Sequence, residues 1–186
     1  MESKIRCEWC EKDDLYRNYH DNEWGKPVYD DETIFEFLVL ETFQAGLSWY
    51  TVLAKRENFR KAFENFDWNK IANYSEEKMA ELAQDTGIIR NKLKIKATIT
   101  NAQAFIKVQE EFGTFSKYIW AFVDGKPIDN KPKTIADVKA TSEISDQLSK
   151  DLKKRGFKFV GSTVVYAHMQ ATGMINDHVM NCFTRK

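Results

Sequence analysis

Cysteines and histidines near both ends of the chain could bind a metal ion. His178 and Cys182 are four residues apart, so a helix would place both side chains on one face. Cys7, Cys10 and His20 lie near the other end. A closed structural zinc site takes four nitrogen or sulfur ligands, so each end would supply two. Spacing alone leaves open whether the N-terminal pair is Cys7 with Cys10 or Cys7 with His20, and it also allows buried thiols and a surface histidine without metal.

Aromatic side chains and one carboxylate form a second candidate site. The aromatic-rich segment 16–24 precedes the segment 41–49, which begins with Glu41 and ends with Trp49. An aromatic-walled pocket with a carboxylate at its edge would suit a flat cationic heteroaromatic, which stacks on the rings and donates a hydrogen bond to the acid. The alternative is an ordinary core in which Glu41 pairs with a neighbouring arginine or lysine. The residues alone do not decide between the two.

The segment 82–90 predicts a tight turn between two helices, with Gly87 at its tip. Glycine allows the backbone to approach a phosphate closely, and the N–H groups at a helix start bind anions. Arg90, Lys92 and Lys94 follow the turn, and residues 86–109 contain no acidic residue. We therefore expect these residues to bind the DNA backbone without reading its sequence. The alternative is an ordinary solvated helix face.

Charge is distributed unevenly, although the formal net charge is zero. Residues 1–50 carry 5 Lys/Arg against 12 Asp/Glu, whereas residues 87–186 carry 17 against 9. A second basic cluster lies within residues 150–158. Local basic faces of this kind suit a phosphate backbone.

The composition is that of a globular protein. The 186 residues are 42% hydrophobic and 13% aromatic, which is enough for one well-buried domain or at most two small ones. No apolar run approaches the roughly 18 residues of a membrane helix, and no secretory leader is visible. We therefore expect a soluble intracellular protein without membrane contact. We also expect a cytoplasmic location and a monomer. The odd count of three cysteines argues against a disulfide framework.

Helices are the elements expected to position these residues. Asp30 and Asp31 predict the start of a helix that runs through residues 34–40, is apolar nearly all round and is therefore central. Glu41 lies at its end, where an unpaired carboxylate is costly to bury. Sustained strand alternation is absent, so the predicted fold class is all-α. The other predicted helices cover residues 49–63, 75–82, 91–112, 116–122, 143–154 and 162–172, and residues 124–141 are predicted to be a loop.

Six segments, in order along the chain, resemble the motifs of the 3-methyladenine DNA glycosylase I family. They are residues 6–9, 19–25, 40–49, 87–90, 152–161 and 176–182, and they span nearly the whole chain. The family belongs to the helix-hairpin-helix DNA glycosylases, so the resemblance implies that fold, with a zinc clamp that joins the two termini. It also implies one unit over 1–186, in which residues about 50–110 hold the hairpin, and the termini and 111–186 form the zinc-bound helical part.

The resemblance also assigns roles to single residues. One structural Zn²⁺ per chain would be bound by Cys7, His20, His178 and Cys182, and Cys10 has no counterpart in this pattern. The base pocket would consist of Glu41 and Trp49, with Tyr16, Tyr19 and Trp9 as neighbouring wall residues.

The implied activity is hydrolysis of the N-glycosidic bond of 3-methyladenine in double-stranded DNA, with the free base as product. Glu41 is the expected catalytic and base-binding carboxylate. No Asp, Gly or Pro lies between Arg90 and Phe112, so the chain lacks the aspartate that many superfamily relatives carry after the hairpin. No lysine stands out as a Schiff-base nucleophile, so we expect no strand cleavage. Two alternatives stay open: another base specificity on this scaffold, and a non-catalytic protein that binds alkylation damage.

Overall fold

Helices dominate the structure, a computed structural model that describes residues 4–185. Residues 1–3 and 186 of the expected unit lie outside the described part. The α-helices are α1 (Asp14–Asn22), α2 (Asp31–Gln44), α3 (Trp49–Leu53), α4 (Arg56–Ala62), α5 (Trp68–Ile71), α6 (Glu76–Leu82), α7 (Lys92–Phe112), α8 (Phe115–Trp120), α9 (Glu143–Lys154) and α10 (Ser162–Ala171). The strands are β1 (Ile128–Asp129) and β2 (Ile175–Asn176), and short 3₁₀ turns cover Glu8–Cys10, Glu64–Phe66, Ala121–Val123, Ile135–Asp137 and Phe183–Arg185.

Helix α2 is the central element, as the sequence predicts. Asp30 caps its start, because the carboxylate accepts a hydrogen bond from the N–H of Thr33. The next residue, Asp31, accepts N–H groups of Phe115 and Ser116 and so joins the start of α2 to the start of α8. Helix α2 packs against α3, α7, α8 and α10, and its side chains are buried on all sides from Phe37 through Phe43. The carboxylate near its end is therefore carried into the interior.

The helix predicted over 49–63 is interrupted in the structure. Helix α3 ends at Leu53 and α4 begins at Arg56. Neither glycine nor proline marks this break in the sequence. The buried guanidinium of Arg56 pairs there with Glu23 at 2.5 Å and with Glu36, so tertiary ion pairs override the helical pattern. The predicted loop 124–141 contains strand β1, which pairs in parallel with β2 through Ile128 and Ile175.

Two apolar clusters hold the elements together. The larger cluster extends from Ile34 on α2 to Ile175 on β2. The smaller cluster joins the two ends of the chain around Tyr19, Trp24 and Val179. Gly173 lies at φ +69°, where a Cβ would come within 2.2 Å of the backbone of residues 26–27, so only glycine allows this close packing. Within residues 4–185, no helix combines the length and apolarity needed to cross a bilayer.

Candidate functional site

A cavity of about 210 Å³ opens beside the central helix, and we call it the aromatic pocket. It is smaller than the roughly 300–1,000 Å³ pockets that hold drug-sized ligands, so it suits a single small ring compound. Helix α2 contributes a carboxylate and an amide, α10 contributes an alanine and an amide, and five of the eleven lining residues are aromatic. The lining residues are Trp9, Tyr16, Tyr19, Trp24, Glu41, Gln44, Trp49, Ile135, Val138, Ala167 and Gln170.

The aromatic residues singled out in the sequence come together in this wall. Trp9 meets Tyr16 edge-on, with ring centroids 4.9 Å apart, and meets Trp24 in the same way at 5.0 Å. Tyr19 links this group to Trp49, with the two ring centroids 5.3 Å apart. Such packed rings hold one another in place. The wall is therefore a rigid apolar surface with which a flat ring can stack.

Glu41 is buried without a charge partner. Its side chain is 3% exposed, and its Oε2 has no hydrogen-bond partner within residues 4–185. Burial raises the pKa of Glu41 to about 8. The indole N–H of Trp49 is also buried without an acceptor in that part of the chain. The alternative in which Glu41 pairs with an arginine or lysine therefore does not hold among the described residues, and the pocket offers an acceptor and a donor to a ligand.

The pocket also contains residues that the sequence analysis did not assign to it. Trp24 and Gln44 lie inside the two segments that were singled out, so proximity in sequence could have suggested them. Ala167 and Gln170 are three residues apart on α10, which places them on one helix face. Ile135 and Val138 come from the loop 124–141 and carry no signal in the sequence.

A second group of polar residues lies where the two ends of the chain meet. Cys7, His20, His178 and Cys182 are all buried, and their ligand atoms lie within 4.8 Å of one another. The Nδ1 of His178 is 3.7 Å from Cys7 Sγ and 3.6 Å from Cys182 Sγ, and His20 Nε2 is 3.4 Å from Cys182 Sγ. A tetrahedral zinc ion with bonds of about 2.0–2.3 Å spaces its ligand atoms about 3.3–3.8 Å apart. The cluster can therefore hold a metal of this kind.

Neighbouring groups orient both histidines of this cluster. His20 Nδ1 lies 2.8 Å from the carboxylate of Asp21, which Arg6 holds in place with a further bond of 2.8 Å. His178 Nε2 lies 3.0 Å from the main-chain oxygen of Trp24. These contacts leave His20 Nε2 and His178 Nδ1 facing the thiols, as expected for metal-binding histidines. Burial lowers the pKa of His178 to about 4, so its imidazole is neutral and able to bind a metal.

Cys10 stays outside the metal-capable cluster. Its thiol is buried and donates to the main-chain oxygen of Cys7 at 3.1 Å. His20, rather than Cys10, therefore lies with Cys7, His178 and Cys182 in the metal-capable cluster. Gly25 lies at φ +75°, and a Cβ there would come within 2.8 Å of His178 Nε2. The chain thus needs a glycine where it passes the cluster.

The predicted hairpin lies between Leu82, where α6 ends, and Lys92, where α7 begins. The N–H of Gly87 donates to Asp85 Oδ1 at 2.7 Å, so it is not free for the phosphate contact that the sequence suggests. A Cβ on Gly87 would lie 3.0 Å from Asp85 Oδ1 and 3.3 Å from Asn58 on α4, so the turn leaves little room for a side chain here. Arg90 and Lys92 are exposed, and neither forms an ion pair in the described part of the chain.

The structure corrects the expected role of Lys94. Its side chain is 5% exposed, and its ammonium donates to the main-chain oxygens of Phe43 at 2.8 Å and Ala45 at 2.6 Å. Burial lowers the pKa of Lys94. The side chain therefore satisfies the carbonyl groups at the end of α2, where helices leave acceptors unpaired, and it does not face solvent.

A helical fold with an exposed basic hairpin, and with a buried carboxylate in an aromatic pocket, is typical of DNA glycosylases that bind a flipped-out base. The model of the methyladenine glycosylase family matches residues 9–185, and the chain belongs to this family. The family membership and the all-α fold expected from the sequence are thereby confirmed.

Curated relatives and a solved structure agree with this assignment. The chain is 49% identical to DNA-3-methyladenine glycosylase 1 of Escherichia coli (strain K12) over 177 residues, which cover 95% of each protein. It is 45% identical to DNA-3-methyladenine glycosylase of Haemophilus influenzae over 177 residues, which cover 95% of this chain and 96% of the relative. A structure of 3-methyladenine DNA glycosylase I from Staphylococcus aureus, which addresses 3-methyladenine recognition, superposes with a TM-score of 0.94 at 36% identity and covers 97% of this chain and 96% of the other.

Proposed function

We propose that this protein hydrolyses the N-glycosidic bond of 3-methyladenine in alkylated double-stranded DNA and releases the free base. The observation that carries the proposal is the buried Glu41 carboxylate, which has no partner among the described residues and lies in an aromatic pocket the size of one small ring compound. A buried carboxylate without a partner is unfavourable in the free protein, so its presence is explained best by a cationic ligand. The names of the relatives point to the same substrate.

The lesion itself supplies much of the reactivity. Methylation at N3 gives the adenine ring a positive charge while it is attached to the sugar, and this charge makes the base a good leaving group. The protein must extrude the nucleotide from the duplex, hold the base and admit water to the sugar. Glu41 would accept a hydrogen bond from the base edge, and Trp49 would stack against the ring face.

Both contacts favour the cationic lesion over neutral adenine. A charge-assisted hydrogen bond and a cation–π contact together are worth about 2–4 kcal/mol. Much of this energy acts on the bound lesion as well as on the transition state, so it selects the lesion more than it accelerates bond cleavage. The pocket therefore selects a base whose N-glycosidic bond is already weak.

We infer that the four-ligand cluster of Cys7, His20, His178 and Cys182 holds one structural zinc ion. Two thiols and two imidazoles are a typical zinc ligand set, and four protein ligands leave no open position for water or substrate. The ion would therefore stabilise the junction of the two termini and take no part in catalysis. Cys7 and Cys182 belong to the smaller apolar cluster, and the pocket residue Trp9 packs against that cluster. The junction of the two termini therefore also fixes one wall of the pocket.

We propose that the exposed Arg90 and Lys92 bind the phosphate backbone, together with the basic residues of segment 150–158. Contacts of this type supply affinity for any DNA duplex and leave lesion recognition to the pocket. We further propose that residues 1–186 act as one unit and as a monomer. We also propose a cytoplasmic location, and the proposed DNA substrate supports it.

Chromatography of the bases released from methylated duplex DNA tests the proposed activity directly. We expect a peak of free 3-methyladenine, which the purified Glu41→Gln variant produces much more slowly, and an uncut sugar–phosphate strand. Tight binding to methylated DNA without base release would instead identify a non-catalytic damage-binding protein. Release of a different base would retain the scaffold and reject the proposed specificity.

A further inference from the structure

A buried carboxylate behind the aromatic pocket fixes the orientation of one amide in its wall. Asp177 follows strand β2 and is 2% exposed. Its Oδ2 accepts hydrogen bonds of 2.8 Å from Gln170 Nε2 and from Tyr166 OH. Its Oδ1 accepts a third bond, also 2.8 Å, from Asn130 Nδ2. Three converging donors hold this carboxylate as a fixed acceptor.

Gln170 lines the same cavity as Glu41 and Trp49. A carboxylate can only accept hydrogen bonds, so the NH₂ group of the Gln170 amide must face Asp177. The amide oxygen Oε1 is then the atom left for a ligand, and it has no partner in the described chain. We propose that Gln170 directs this oxygen at the exocyclic group of the bound base, and that it thereby determines base specificity. Asp177 acts as the positioning residue that prevents the amide from turning over.

The hydrogen-bond pattern of such a pocket discriminates between purines. Adenine carries an amino group with two donor hydrogens at the position where guanine carries a carbonyl oxygen. Glu41, once it is ionised next to the cationic base, and the Gln170 amide oxygen are both acceptors, so together they can satisfy both hydrogens of an adenine-type amino group. A guanine-type carbonyl at that position would instead face these two acceptors, and the repulsion between acceptor oxygens is costly in a pocket that excludes water. This inference rests on the proposed function and adds the reason why a methylated adenine is preferred to a methylated guanine.

The test compares two lesions on the same DNA. A methylating agent produces both 3-methyladenine and 3-methylguanine. Chromatography of samples taken over time gives the initial release rates of both bases. We expect Gln170→Met, which keeps a similar side-chain length without a polar amide, to lower the ratio of the two rates by about tenfold. Asp177→Asn should lower the ratio to a smaller extent, because the amide of Gln170 is then free to take either orientation.

Tyr166→Phe is the matched control. It removes another donor from Asp177 and leaves the bond between Asp177 and Gln170 in place, so it should reduce stability without changing the ratio. Metal content and circular dichroism of each purified variant show that the fold is retained. The proposal is overturned if folded Gln170→Met keeps the wild-type ratio of the two release rates, including by losing both activities equally. It is also overturned if Tyr166→Phe changes this ratio and Gln170→Met does not.

Calorimetry with the two free bases separates this proposal from the proposed function. Binding requires no bond cleavage, so the assay stays informative even when neither base is released from DNA. We expect the wild-type protein to prefer 3-methyladenine to 3-methylguanine, and Gln170→Met to lose that preference by about the same factor. Equal affinities of the wild-type protein for the two bases, or no binding of either base, would overturn the assignment of Gln170.

Discussion

The ammonium of Lys94, in the first turn of α7, lies 2.6 Å from the main-chain oxygen of Ala45, just beyond the end of α2. This bond connects the basic hairpin to the helix that carries Glu41, four residues before Ala45. The cations at and just before the start of α7 therefore form two sets, one buried and one exposed. Lys94 supports the central helix, whereas Arg90 and Lys92 are exposed.

The two sets should respond differently to substitution. Lys94→Met leaves main-chain acceptors of residues 43 and 45 without their donor, and we expect it to lower the free energy of unfolding by about 1–3 kcal/mol. It should leave the salt dependence of DNA binding unchanged. The double variant Arg90→Gln, Lys92→Gln should retain its stability and reduce the slope of log K against log salt by about 2.

Urea denaturation and DNA binding at several salt concentrations measure both effects. An unchanged slope in the double variant would show that the exposed cations face away from DNA. A reduced slope in Lys94→Met, at normal stability, would return Lys94 to the DNA-binding surface.

The case of Lys94 also shows what the sequence can and cannot predict. A basic run after a turn predicts a positive face. The rotation of the helix about its axis decides which lysine points inward. Lys94 lies on the buried side of α7, whereas Leu93 and Lys96 are exposed. The central helix was predictable because its apolar residues occur on all sides. The break at residues 54–55 was not, since it depends on ion pairs of Arg56 with Glu23, just after α1, and with Glu36 on α2.

The pocket was predictable to the extent that its residues occur in motifs. Glu41 and Trp49 lie in one segment, and a carboxylate at the end of an apolar helix is itself a signal. Ile135 and Val138 were not predictable, because only the folding of the loop brings them to the cavity. The position of His20, and not Cys10, in the metal-capable cluster likewise could not be read from spacing, and needed either the family pattern or the folded structure.

Metal analysis of single variants tests the zinc site. Cys182→Ser should lose most of its zinc and much of its stability, because a structural metal contributes folding free energy directly. Cys10→Ser is the matched control: its thiol is equally buried but bonds to a main-chain oxygen, so about one zinc per chain should remain. Loss of zinc from Cys10→Ser with retention in Cys7→Ser would mean that the ligand set is wrong.

The raised pKa of Glu41 makes stability depend on pH. Its pKa rises from the ordinary 4.5 to about 8 in the folded chain, so between these values the folded state keeps a proton that the unfolded chain releases. The contribution of this group to stability is therefore full below pH 4.5, falls as the pH rises, and levels off above about pH 8. Glu41→Gln removes the titration, and we expect it to be more stable than the wild type at pH 8 by more than about 1 kcal/mol.

Denaturation curves of both proteins at several pH values between 5 and 9 provide the measurement. The difference between them should grow with pH and then stop growing. A constant difference over the whole range would mean that Glu41 is already ionised at pH 5 and has a partner in solution.

A permanent cation probes the same carboxylate from the side of the ligand. The 3,9-dimethyladeninium ion keeps the charge of the alkylated nucleotide, and its 9-methyl group does not leave. Binding should displace the proton from Glu41, because an ionised carboxylate next to the cation is favoured. Wild-type affinity should therefore rise as the pH approaches 8, with release of one proton per binding event below that value.

In Glu41→Gln the rise should be absent, and affinity at pH 8 should be about ten- to a hundred-fold lower, as expected for the loss of a charged hydrogen bond. Neutral 9-methyladenine is the matched ligand and should bind weakly at every pH. Calorimetry in buffers of different ionisation enthalpy counts the protons, and equal affinities of the two proteins for the cation would make Glu41 a structural residue.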